Sequence, residues 1–184
     1  MQRIAVGVDL AAKPESSTGL CVVVEGVLVD CVMAQDDNDI IGKVFSYGKP
    51  LAVAMDAPLT AKSKGFRVVE LEMIKEGMRL LPLGFPYMRR LARRGVSLKR
   101  IIEEKGVKVI ETHPTSSLKS AGCSRDGWMN CLSRYIRLSP TIGSRVDGNK
   151  DLVDAAVAAC VAWLYLNNAT RVFRGPDGEI HVLP

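Results

Sequence analysis

Arg3-Ile4-Ala5-Val6-Gly7-Val8-Asp9 is a short apolar run that closes on one acid. Its β-branched residues leave no polar face, so it reads as a strand covered on both sides, the central position of an α/β sheet. The segments that follow extend that sheet. Thr18–Val24 (TGLCVVV) is a second strand, Glu25-Gly26 a tight turn, and 27–33 (VLVDCVM) a third, more peripheral strand. So short a link forces the second and third strands antiparallel.

Further along, Asp36, Asp37 and Asp39 open a helix over 36–47, where early acids suit the helix dipole. A fourth strand, 51–56 (LAVAMD), is ended by Ala57-Pro58. Helices over 66–81 and 85–105 follow, the second basic and expected to break near Gly95. A fifth strand, 107–112 (VKVIET), stops at His113-Pro114. Short helical pieces over 115–138, a helix over 151–167 and a hairpin turning at Pro176-Asp177-Gly178 complete the chain. No repeat or composition break divides residues 1–184, so one domain is expected. Its class is α/β, a mixed five-stranded sheet with helices on both faces plus a C-terminal hairpin.

The bulk composition agrees. Apolar residues make up 47% and charged residues 24% of the 184, enough for a core and unlike a disordered chain. A net charge of +5 is compatible with a polyanionic partner without requiring one. The five cysteines are odd in number and form no C-x-x-C pair, which argues against a zinc site or a disulfide framework and for reduced, buried thiols. Asp9 interrupts what would be a signal-peptide core, and the longest apolar run, 155–166, is shorter than the ~20 residues of a membrane span. A soluble, cytoplasmic protein with no membrane partner is expected. No phosphate loop, dinucleotide fingerprint or nucleophile elbow occurs.

The informative pattern is where the acids fall. Asp9 and Asp56 end strands, and Glu111 sits near the end of a third. If those strands are parallel neighbours, the three carboxylates converge where open α/β sheets bind ligands. Two carboxylates ~4 Å apart repel by roughly 4 kcal/mol at an effective dielectric of about 20, so such a cluster needs a cation or shared protons. Oxygen ligands without Cys or His favour Mg²⁺ or Mn²⁺. Asp151 and Asp154 share a face of the last helix, whose alanines permit close approach to the sheet. Taken alone that pair is a helix cap and an early acid; beside the strand acids, Asp154 is the better ligand and Asp151 the second choice.

Other candidates carry two readings each. His113 could orient a carboxylate, shuttle a proton or simply hydrogen-bond its loop. Arg67 with Glu70 is a surface ion pair or a phosphate contact. Arg89, Arg90, Arg93 and Arg94 cover one side of a basic helix, as a phosphate-binding face or a solvated one. Tyr87 is the aromatic residue among them, poor support for stacking on a single strand.

Gly7-Val8-Asp9-Leu10-Ala11, Thr18-Gly19, Met55-Asp56-Ala57-Pro58-Leu59, Arg67 with Glu70, Glu111-Thr112-His113-Pro114, Asp151-Leu152-Val153-Asp154-Ala155 and Gly178-Glu179-Ile180 together carry a resemblance. In that order and spacing the chain resembles a widespread uncharacterised family of predicted ribonuclease-H-fold nucleases, akin to the RuvC-type resolvases. The resemblance implies a ribonuclease-H-like fold and a nuclease dependent on Mg²⁺ or Mn²⁺, acting on nucleic acid. It implies Asp9, Asp56 and the Asp151/Asp154 pair as metal ligands, with Asp at position 56 where resolvase-like relatives more usually carry Glu. Glu111 is expected as a further ligand or as an acid supporting one. The rival classes are a non-catalytic binding or scaffold protein and a small-molecule phosphotransferase, which generally needs a second such domain.

Overall fold

Apolar strands with Asp or Gly at their ends, alternating with amphipathic segments, give an α/β sandwich. The computed structural model of the chain describes residues 2–60 and 65–184. β1 (Ile4–Asp9) is central and fully apolar until its last residue. β2 (Thr18–Val24) and β3 (Val27–Ala34) follow it as an antiparallel meander. On the other side of β1, β4 (Ala52–Asp56) and then β5 (Lys108–Thr112) add in parallel.

Two helical layers cover the sheet. One carries α1 (Asp37–Val44), α2 (Val68–Lys75) and α3 (Pro86–Glu104). Ile4, Val6, Val8, Val53, Met55 and Val109 pack toward α1 and α3, against Ile40, Leu98 and Ile102. The other layer carries α4 (Pro114–Ser120), α5 (Trp128–Leu132), α6 (Ile142–Val146) and α7 (Lys150–Leu166). There Ala5, Cys21, Val23, Ala54 and Ile110 meet the alanine-rich face of α7. Gly7 decides how close α7 can come. A Cβ at position 7 would collide with the backbone of Ala155, Ala158 and Ala159. The missing side chain therefore lets helix backbone lie on strand backbone, and it brings Asp154 toward Asp9.

Several expectations are corrected. The sheet has eight strands among the described residues, in the order β6-β3-β2-β1-β4-β5-β8-β7, where β6 is Arg137–Leu138, β7 is Arg171–Gly175 and β8 is Gly178–Val182. The hairpin turns at 176–177 as expected, but β8 pairs parallel to β5 and so joins the main sheet. α3 runs unbroken through Gly95. That glycine is a contact, since a Cβ there would stand 3.0 Å from the Ala57 Cβ and 3.3 Å from the Pro58 carbonyl. The helix expected over 66–81 stops at Lys75, because Gly77 follows its cap at φ 80°, the left-handed turn that ends helices. Its start is fixed from a distance: Asp177 in the β7–β8 turn accepts from the Val68 and Val69 N–H groups at 2.5 and 3.1 Å.

The cysteines are also corrected. Cys21 bonds Cys31 across β2 and β3, and Cys123 bonds Cys131, leaving Cys160 free and buried. A regular two-residue hairpin at Glu25-Gly26 would set Cys21 opposite Asp30. A bulge between Val22 and Val23 shifts the register by one and sets it opposite Cys31. The expectation of reduced thiols, and with it one ground for a cytoplasmic location, is thereby lost. No helix among the described residues is long and apolar enough to cross a membrane.

Candidate active site

The site begins with backbone pairing. β1 and β4 are parallel neighbours in a register that sets Asp9 directly beside Asp56. Both strands end there, so both carboxyls leave the sheet at its carboxyl edge, as the strand-end pattern predicts. They form the floor of a cleft of about 700 Å³ whose walls include Ala12, Lys13, Arg79, Leu81, Tyr87, His113 and Lys150.

The electrostatics follow from burial and crowding. Burial first, then the charges of Asp154 and Asp151, raise the Asp9 carboxyl to about 7, against the pull of Lys150 and Arg125. Burial, with Asp9 next and then Asp154 and Glu111, pushes Asp56 well above the usual carboxylate range. The Asp9 and Asp56 carboxyls lie within hydrogen-bonding reach of each other. Protonation or a cation relieves such a pair.

Glu111 reaches the same cleft, but its oxygens are engaged. Arg67 grips both of them, with Nη1 at 2.9 Å from Oε2, and the Leu59 N–H donates to Oε2 at 2.8 Å. Burial raises the Glu111 carboxyl while Arg67 and Leu59 pull it back. Arg67 is itself 2% exposed and also binds Glu70, Nε to Oε1 at 2.9 Å. Neither the surface-pair nor the phosphate-contact reading of Arg67 stands. It is a buried clamp joining α2, β5 and the loop after β4. Of the two roles expected for Glu111, a ligand or an acid supporting one, its place inside that clamp favours the supporting one.

Asp154 is brought to the cleft, one turn into α7 and 5% exposed. Its Oδ1 accepts from Arg125, which also donates to Thr115 Oγ1 at 3.0 Å. Burial lifts its carboxyl and Arg125 lowers it. Asp151 lines the cleft too, exposed, but Asn149 caps the helix by accepting from the Asp151 and Leu152 N–H groups. His113 caps α4, its Nδ1 accepting from the Ser116 N–H at 3.2 Å. Burial, then Arg125, lower the imidazole to about 4, so at neutral pH it is uncharged and carries its proton on Nε2.

The basic helix face divides. Arg89, Arg90 and Arg93 are exposed. Arg94 is corrected: it turns inward, donating to Asp37 and to the Ala11 and Lys13 carbonyls at 2.6 and 2.9 Å, and it braces the loop after β1. Sequence reasoning missed Arg125, Lys150, Arg79 and the Leu59 N–H. Arg125 had one faint signal, a cation lying between two cysteines only eight residues apart.

Among the described residues, no three Asp, Glu, His or Cys side chains are grouped to hold an ion as they stand. Asp9 and Asp56 suit a hard cation, which would replace the protons that their burial and crowding otherwise favour. Asp154 becomes a third oxygen donor if Arg125 releases it, and Glu111 does not fit while Arg67 holds it. No family model, curated protein or solved structure matches the chain.

Proposed function

We propose that this chain is a metal-dependent nuclease of ribonuclease-H-like fold that hydrolyses phosphodiester bonds in nucleic acid. One observation carries the reading: Asp9 and Asp56 are register partners on adjacent parallel strands, their carboxyls crowded on the floor of an open cleft. The meander β1-β2-β3 with β4 and β5 added parallel to β1 supports the fold assignment. Asp9 and Asp56 would hold Mg²⁺ or Mn²⁺, with Asp154 joining them and Asp151 at the rim. A divalent ion so held supplies a nucleophilic water at neutral pH and charge at the leaving oxygen. The remaining work belongs to the chain. Lys13, Arg79 and Lys150 attract the phosphodiester to the cleft. Arg125 exchanges its carboxylate partner for substrate phosphate, a bidentate match for a guanidinium. Neutral His113 offers its Nε2–H as a hydrogen-bond donor.

The test is cleavage of single- and double-stranded DNA and RNA with Mn²⁺, by the wild-type chain and Asp9→Asn. Loss of cleavage in Asp9→Asn is expected; cleavage that survives it overturns the assignment.

One observation favours a non-catalytic scaffold: Asp154 and Glu111 already have arginine partners in the protein itself. Thermal melts with Mn²⁺ separate the two readings, because an ion that binds only the folded state must raise Tm. A rise that Asp9→Asn abolishes supports the nuclease, and no rise supports the scaffold.

A further inference from the structure

The cleft rim holds features that the acid pair does not use. Tyr87, in the first turn of α3, is 50% exposed, and its ring lines the cleft. Asp9, Asp56 and Asp151 all act on its phenol, which burial chiefly raises. No aromatic partner or side-chain hydrogen bond occupies the ring among the described residues. Arg79 also lines the cleft, is exposed, and is engaged by no ion pair among the described residues. Lys13 and Lys150 stand likewise on the cleft wall.

An aromatic face in a cleft walled by unpaired cations matches one polymer. Phosphates answer the cations, and a base has a π-face to lay on the ring. An acidic peptide would satisfy the cations only, since the ring's negative face gains nothing from a carboxylate. A base can stack there only if it has left its own pair. The cleft volume, about 700 Å³, falls within the range of small-ligand sites and suits a nucleotide rather than a duplex.

We propose that the cleft binds a single-stranded segment of nucleic acid, with one base stacked on Tyr87 and the phosphates led past Lys13, Arg79 and Lys150 toward Asp9 and Asp56. The occupant rests on the nuclease reading of the acid pair; the stack is tested apart from it.

The experiment is fluorescence anisotropy in EDTA, so that no turnover intrudes. The probes are a labelled single strand of ~12 nucleotides, within the site sizes of single-strand grooves, the duplex of equal length, and an abasic strand with the same phosphates. The single strand is expected to bind tightest. Tyr87→Ala weakens it by roughly 5- to 150-fold, the range of one lost base–aromatic stack. Tyr87→Trp restores binding, and Tyr47→Ala, outside the cleft, changes nothing. Equal binding of the abasic strand or the duplex overturns the proposal, as does an unaffected Tyr87→Ala or displacement by polyglutamate as readily as by the single strand. The abasic comparison needs no variant, so the proposal stays exposed even if Tyr87→Ala folds poorly. A Tyr87-dependent binder that never cleaves with Mn²⁺ sinks the nuclease reading alone. A nuclease whose binding ignores Tyr87 sinks this one alone.

Discussion

At the scale of residues, the cleft contains acids of two kinds, and stability separates them. Asp9 is destabilising by position: its folded carboxyl keeps a proton up to about 7, while the unfolded chain releases it near 3.8. Between those values the folded state binds more protons, so stability falls as pH rises through that window. In EDTA, Asp9→Asn should raise Tm at pH 8 and leave it nearly unchanged at pH 4, as differential scanning calorimetry would show. Glu111 is raised by burial too, but it has a partner. Glu111→Gln leaves buried Arg67 short of a counter-charge, which costs about 3–5 kcal/mol where a buried pair is broken. Its Tm should drop at neutral pH, and an unchanged Tm would refute the clamp. The strand-end acids were legible in the sequence because a polar residue closing an apolar run stands out. Their different roles were not, because Arg67 and Arg125 reach them from elements distant in sequence.

At the scale of elements, the tightest junction is β1 against α7. Gly7→Ala places a Cβ into helix backbone that has no flexible end to yield. The variant is expected to lose cooperative unfolding or to melt far below wild type by circular dichroism. A wild-type melt would mean that α7 can lift from the sheet, and with it Asp154. This layer was readable from residues alone, since an unbroken apolar run and an alanine-rich helix announce strand and helix without long-range information. The far side of the sheet and the α3 contact were not. β8 is locally a hairpin arm, and only its pairing with β5 through Glu111↔Ile180 and Thr112↔His181 makes it part of the main sheet. Gly95 looks like a helix breaker, and becomes a contact only because the loop after β4 lies on it.

At the scale of the whole molecule, two disulfides close short loops, of ten and eight residues in sequence separation. Each contributes about 2–3 kcal/mol by the loop-entropy account, and a domain of this size moves roughly 2–4 °C in Tm per kcal/mol. Reduction with a phosphine should therefore lower Tm by roughly 10–20 °C, and a Tm indifferent to reductant would show that neither bond forms. The sheet that Cys21–Cys31 staples has one more consequence. Adjacent strands lie ~4.8 Å apart in every sheet, a spacing that backbone hydrogen bonds set and side chains barely alter. Asp9 and Asp56, paired across that interval, are gauged by the peptide ladder itself. Repacking either hydrophobic layer can loosen or tighten the molecule without re-spacing its two acids, so their separation is free to persist while the sequence around them drifts.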